Sequence, residues 1–506
     1  MGSPEPAGRS PPAPAPASNE GEAETSSGSG SPAAVALPSS SPRSAGGTER
    51  PAGGLAKHQS ARLSLTQATK ALGKIELQIA SGPQWTWIRR LLFGLFWVIL
   101  ICLLAAALVT IVQTPECKTP PKLEWWQKGP MYRVVLKSNR GIRDPKGILR
   151  QLQYIVQLNV VAIILVPNEK LNQTSRTPND SSSFQYIMDY IYDLKPFLKA
   201  ASKHGIKVVL DFTPFYAPLG NDIWTSIDQD EDFLSTLLTE FHFGFREGVD
   251  GIFLKISALN SKKKFMRELL KTWKEIASKY SSSSKKRIFI IGTNMEKYDY
   301  FASVLVNVHG VIIFVYYLSA VLKTSKITEI ALILNDYYQI VQNEWSGFSL
   351  SEGHIASMIL QKHENNFNLY AILLFTMPGT PLFYYGDEIA LKNYKQHSED
   401  PQSTLSLFKA LAKLRIEESP LLYGDFYLLL NTTNILAYIR QWDQMGILIV
   451  LNFGVSVTYN FTSVYLPSFA FILSKSTELS QCELINLQNM TIEANVGYIL
   501  KYFIPE

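Results

Sequence analysis

Residues 91–112 read LLFGLFWVILICLLAAALVTIV, 22 positions without a charged side chain. A hydrocarbon core about 30 Å thick is crossed by about 20 helical residues at 1.5 Å each, so the run has the length of one transmembrane helix. That feature divides the chain into parts that meet different solvents. Trp85, Trp87 and Trp97 bias one end of the run toward an interface, and Arg89-Arg90 abuts it there. The opposite flank is Gln113-Thr-Pro-Glu116, without a cation. Within 20 residues of the two ends the cations are equal in number, Lys74, Arg89 and Arg90 against Lys118, Lys122 and Lys128. Positive charge stays on the cytoplasmic side, and the immediate flank Arg89-Arg90 breaks the tie and predicts a cytoplasmic N-terminus and a long C-terminal part outside the cell. The expected location is the plasma membrane, with a single pass of type II orientation and an uncleaved signal-anchor.

The segment before the span is of another kind. Of the first 60 residues, 31 are Pro, Gly or Ser, and the first aromatic ring of the chain is Trp85. Such a stretch has too little apolar surface to offset the entropy of ordering it, which predicts a mostly disordered tail over 1–84. Leu65, Ala68, Leu72, Ile75 and Ile79 step by three and four, giving one short helical face near its end. Ser31-Pro32 and Ser41-Pro42 are candidate modification sites, and a plain spacer explains them equally well.

After the span, strand-like apolar runs alternate with helix-period segments from Met131 onward. The runs lie at 133–136, 160–166, 208–210, 251–254, 288–291, 311–315 and 382–385. Continuous apolar character means burial on both faces, as in parallel strands covered by helices. Ile148, Leu152 and Ile155 supply a helical stripe between the first two. Nearly 290 residues of such alternation fit a (β/α)8 barrel better than an open sheet. Beyond a helix at 403–415 the pattern changes to short runs at 426–430, 435–438, 447–452 and 498–503, separated by turn residues, which predicts an antiparallel β-sandwich. The expected organisation is a tail (1–84), a span with its flank (85–112), a neck (113–129), the barrel (130–418) and the sandwich (419–506).

Composition removes several function classes. Lys+Arg 48 against Asp+Glu 43 leaves +5, too weak a bias to argue for nucleic acid. Three cysteines and seven histidines without ligand-type spacing predict neither a disulfide scaffold nor a metal centre. No cofactor is expected. A single helix has its backbone bonds satisfied internally and encloses no water, so it offers no transport path of its own.

Four motifs stand in order at the ends of predicted strands: Val209-Leu-Asp211-Phe-Thr-Pro214, Gly248-Val-Asp-Gly251, Ile291-Gly-Thr-Asn294 and Met377-Pro-Gly-Thr-Pro381 running on to Gly386-Asp-Glu388. They resemble the strand-end motifs of the α-amylase/α-glucosidase family. Further pieces, among them Ser81-Gly-Pro-Gln-Trp85, Glu116-Cys117, Trp125-Trp126, Ser398-Glu-Asp-Pro401 and Tyr438-Ile-Arg-Gln-Trp-Asp443, are similar to the heavy (ancillary) subunits of heteromeric amino-acid transporters. That resemblance runs from about residue 64 to the end. It implies a subunit that stabilises a multi-span light subunit and carries it to the cell surface, with no small-molecule substrate of its own.

The glycosidase resemblance also says where chemistry would have been. Retaining hydrolysis needs two carboxyl groups about 5 Å apart, one a nucleophile and one an acid. By the family's pattern Lys255 falls at the nucleophile, Phe253 at an arginine two residues before it, and Thr293 at the acid. An amine forms no glycosyl ester, and its charge opposes the positive charge that develops on the sugar ring. The segment 345–354 shows no Asn-His-Asp, and Phe215-Tyr216 stand where an Asn-His pair is expected. Asp211, Asp250 and Glu388 remain, at positions that shape loops. The expectation is a barrel without catalytic residues.

Cys102 lies inside the span. Cys117 follows the span by five residues, in an oxidising compartment if the orientation is as read. It either pairs with Cys482 or bridges to another chain; the resemblance implies the bridge, to the light subunit. Asn172, Asn179, Asn431, Asn460 and Asn489 each begin a glycosylation sequon, and all follow the span. A rival reading is an adhesion or receptor glycoprotein that signals through its tail, and a membrane-bound α-glucosidase is a second.

Overall fold

A helix free of interior proline and glycine-poor over its length is what the apolar run forms: α1 (Pro83–Gln113) is 31 residues long, with Pro83 at its first position and its side chains exposed. It is the one helix, among the described residues, long and apolar enough to cross a membrane. The computed structural model describes residues 82–113, 119–135, 145–167, 181–213, 231–256, 263–294, 310–318, 321, 323–324, 326–350, 366–390, 404–464, 466–477 and 483–504. The predicted tail as far as residue 81, the helical face at 65–79 within it and the segment 214–230 lie outside them.

The part beyond residue 115 is built on eight parallel strands: β1 (Met131–Val135), β2 (Ala162–Val166), β3 (Lys207–Asp211), β4 (Gly251–Lys255), β5 (Ile288–Asn294), β6 (Ile312–Tyr317), β7 (Gly347–Ser349) and β8 (Thr380–Tyr384). Each pairs with the next, and β1 pairs with β8, so the sheet closes. Side chains alternate across a strand. One set, including Met131, Ile164, Val209, Phe253, Ile290 and Val315, fills the barrel axis. The other, including Tyr132, Ile163, Leu210, Leu254 and Phe289, packs outward against the helices. Both faces are buried, which is why these strands read as unbroken apolar runs.

The helices follow the same logic. Between the first two strands lie α2 (Pro145–Arg150) and α3 (Leu152–Gln157), and the predicted stripe Ile148, Leu152 and Ile155 is buried on them. The others are α4 (Ser181–Lys203), α5 (Glu231–Arg246), α6 (Lys263–Lys279), α7 (Ile327–Asn343), α8 (Phe367–Thr376) and α9 (Thr404–Glu417). Helix α8 is buried on every side because it lies between the barrel and the next layer. Seven strands coincide with the predicted runs. The eighth, β7, has only the sequence Gly-Phe-Ser and carries no apolar run to find.

The neck stops the barrel's N-terminal end. Trp126 packs into the axial cluster and its carbonyl accepts the Thr380 hydroxyl at 2.6 Å. Trp345 Nε1 donates to Thr380 Oγ1 at 2.9 Å, and Trp125 Nε1 to the Lys286 carbonyl at 3.1 Å.

After α10 (Ser419–Tyr423) the chain turns antiparallel. Strands β9 (Asp425–Asn431), β10 (Ile435–Trp442), β11 (Met445–Asn452), β13 (Phe469–Lys475), β14 (Glu483–Asn486) and β16 (Gly497–Phe503) form a six-stranded sheet in the order β14-β13-β16-β11-β10-β9. A two-stranded sheet of β12 (Val457–Tyr459) and β15 (Met490–Ile492) covers one face, with Val450, Phe461, Met490 and Leu500 between the layers. The other face packs on α8. Two buried arginines bind this junction. Arg415 donates to the carbonyls of Met377 and Gly379, and Arg440 to those of Thr376, Leu421 and Gly424. Both guanidinium groups lie at helix C-termini, where unpaired carbonyls present negative potential.

Candidate functional site

The C-terminal ends of the strands are where barrels of this kind carry chemistry. Alternation brings Arg133, Asp211, Phe253, Tyr317 and Tyr384 toward the axis there. Arg133 forms an ion pair with Asp211, its Nε donating to Oδ2 at 3.2 Å and its Nη2 to the same oxygen. The guanidinium lies 5.1 Å from the Tyr384 ring centroid and 5.2 Å from that of Phe253, within cation–π range of both. Asp211 also accepts the Thr213 backbone N–H at 2.8 Å. Burial alone would lower the Arg133 pKa, but the adjacent Asp211 carboxylate outweighs it and holds the group charged. The axis is thereby closed by a cation held between two rings and a carboxylate already neutralised.

Lys255 projects from β4 two residues beyond Phe253 on the same face, its Nζ 6.0 Å from the Tyr317 ring centroid. Its backbone N–H donates to Thr213 Oγ1 at 2.8 Å. Gly292 stands in register with Lys255, and a Cβ there would lie 2.7 Å from Phe253 Cζ, so the glycine makes room for the phenylalanine ring. Thr293 is the next residue, hence on the other face of β5. Its register partner is Tyr316, whose side chain belongs to the outer core. Thr293 is buried, and its hydroxyl makes no hydrogen bond among the described residues. The two residues at the predicted chemical positions therefore do not face one another.

The remaining carboxylates are occupied elsewhere. Glu388, fully buried after β8, accepts the hydroxyls of Tyr132 at 2.7 Å and Tyr154 at 2.9 Å on Oε1, and the Gly386 N–H at 2.8 Å on Oε2. Burial pushes its pKa up, while these donors pull the other way. Tyr132 and Arg133 are neighbours on β1 and point to opposite faces. Glu388 thus lies on the outer side of the barrel wall and Asp211 on the inner side. Asp250 precedes β4 at the opposite end of the barrel, accepting Arg287 Nη1 at 2.7 Å and the Val208 N–H at 3.1 Å. Its place in the fold is structural.

Arg133, Tyr132 and Tyr154 were not singled out by the sequence reading. The available signal was a lone arginine inside the apolar strand Met-Tyr-Arg-Val-Val. Arg89 and Arg90 lie exposed on α1. Of the sequons, Asn431, Asn460 and Asn489 are exposed, and Asn460 Oδ1 accepts the Thr462 N–H at 3.0 Å and hydroxyl at 2.6 Å. Asn172, Asn179, Cys117 and Cys482 lie outside the described residues.

Residues 61–132 match the family described as the solute carrier family 3 member 2 N-terminus. The amino acid transporter heavy chain SLC3A2 of Oryctolagus cuniculus is 29% identical over 504 residues, covering 90% of this chain and 92% of that one. The chain is similar to an amino-acid transporter heavy chain along most of its length. Among solved structures, the trehalulose synthase MutB of Pseudomonas mesoacidophila superposes with a TM-score of 0.57 at 13% identity, over 75% of this chain and 100% of that one. The Bacillus licheniformis trehalose-6-phosphate hydrolase gives 0.55 at 15% identity, over 74% and 99%. At such identities the likeness of these two shows the fold alone.

Proposed function

We propose that this protein is the non-catalytic heavy subunit of a heteromeric amino-acid transporter, a type II plasma-membrane glycoprotein that stabilises a multi-span light subunit and carries it to the cell surface. The observation that carries this reading is similarity to an amino acid transporter heavy chain over nine-tenths of the chain. The parts act as the tail (1–84), span (85–112), neck (113–129), barrel (130–418) and β-sandwich (419–506). The span packs against helices of the partner, which holds the transport path, and Cys117 joins the two chains. A covalent link makes the remaining contacts intramolecular, so a weak interface stays formed. Sugars on Asn172, Asn179, Asn431, Asn460 and Asn489 cover the extracellular part; the exposure of the last three supports this.

The non-catalytic reading rests on the barrel mouth. Lys255 stands at the nucleophile position, Thr293 faces outward, and Asp211 and Glu388 are on opposite sides of β1, each already bound by side-chain donors. Affinity purification of the full chain from membranes without reductant tests the proposal. A multi-span transporter should co-purify in a covalent complex that Cys117→Ser releases. A monomeric band for the unaltered chain, or hydrolysis of a chromogenic α-glucoside by it, would overturn the reading.

A further inference from the structure

The whole chain carries +5, yet residues 263–286 alone hold eight lysines and arginines against Glu268 and Glu275. That balance of +6 leaves the rest of the protein nearly neutral. The charges are ordered: Lys264, Arg267, Lys271 and Lys274 step by three, four and three along α6, which places them on one face with about 5–6 Å between successive side chains. Lys264, Arg267 and Lys271 are exposed and Lys274 half-exposed. The opposite face of α6 is spent on the core, with Met266, Leu269, Leu270, Trp273, Ile276 and Ala277 all buried. Helix α6 runs antiparallel to the strands between the end of β4 and the start of β5. Past its C-terminus Lys285 and Lys286 are exposed as well. The 17 residues of α6 span about 25 Å.

We infer that this ridge is a docking surface for a linear sulfated polysaccharide at the cell surface. Glu268 and Glu275 share this exposed face, each four residues after a lysine, but the cations outnumber them. A face with that excess complements a chain that repeats anionic groups along its length, and each contact draws on charge without apolar burial. A lipid surface is disfavoured because α6 offers no exposed apolar side chain to insert between headgroups. Single-stranded nucleic acid is disfavoured because the one aromatic ring of its middle turns, Trp273, is buried and presents no stacking platform. The inference rests on the proposed function in one respect, that the barrel faces the extracellular side.

The test uses the full-length protein in detergent, with heparin as the probe. At physiological ionic strength the unaltered chain is retained, and raising salt releases it. Replacing Lys264, Arg267, Lys271 and Lys274 by glutamine should weaken binding about tenfold or more, since four cations of the ridge are lost. A control with Lys199, Lys203, Lys323 and Lys413 replaced by glutamine removes the same charge elsewhere and should bind as the unaltered protein does. Equal weakening in both variants, or none in the ridge variant, overturns the inference. So does binding of the ridge to phosphatidylserine vesicles or to single-stranded DNA as tightly as to heparin. Protease accessibility on intact cells reports the orientation separately: protection of the barrel would refute the topology and leave the heparin result standing.

Discussion

Glu240 on α5 is fully buried, and neither carboxyl oxygen has a hydrogen-bond partner among the described residues. Burial pushes its pKa from 4.5 up to about 8. In the unfolded chain the same group titrates near its ordinary value, so between pH 4.5 and about 8 the folded protein binds a proton that the unfolded chain has released. Stability therefore falls as pH rises through that window and levels off above it. Each unit is about 1.4 kcal/mol, so some 2.5 units put the penalty near pH 7 at about 3 kcal/mol. Glu240→Gln removes the titration. Its buried amide lacks partners too, so its own stability is offset by a constant, but the difference between variant and parent should grow with pH. Chemical denaturation of the full-length protein, followed by tryptophan fluorescence at several pH values across the window, reads this directly. The parent should lose about 3 kcal/mol relative to the variant between the acid end and pH 7, worth several degrees in Tm. Parallel pH profiles for the two proteins would refute the argument.

Two further outcomes follow from the barrel and its junction. Arg440→Met keeps the volume but leaves the carbonyls of Thr376, Leu421 and Gly424 buried without donors, and should cost about 3 kcal/mol or more; a lower denaturation midpoint, with increased protease cleavage between the barrel and the β-sandwich, is the readout. Lys255→Asp combined with Thr293→Glu should restore no α-glucoside hydrolysis, because the new glutamate would face the helices while the new aspartate faces the axis; turnover by the double variant above that of Lys255→Asp alone would contradict the outward placement of Thr293.

Much of the architecture was legible because barrel strands are buried on both faces, so seven of them announce themselves as apolar runs. Strand β7 did not, since a glycine that fits beside Thr380 and a serine at the mouth leave only Phe348 as a signal. At the site, the strand-end motifs drew attention to Lys255 and Thr293, but which way each points was not legible. That follows from register: Gly292 stands opposite Lys255, and the residue after it must turn outward. Arg133 was hidden for a different reason. Its partner Asp211 is 78 residues away, and the partner of Tyr132 is 256 residues away, so only closure of the sheet brings either pair together.

That closure gives β1 a particular part in the molecule. Tyr132 fixes Glu388 from the outer face while Arg133 fixes Asp211 from the inner one, so a single pair of adjacent residues ties the first strand to β3 on one side and to the segment after β8 on the other. A glycosidase needs the carboxylates around its axis free to meet a sugar. Here Asp211 is engaged by an arginine that the rings of Phe253 and Tyr384 flank, and the same contacts hold the first, third, fourth and eighth strands together at the mouth. The Arg133–Asp211 pair locks the strand ends at the barrel mouth, and stiffness of that kind suits the scaffold role proposed for this protein.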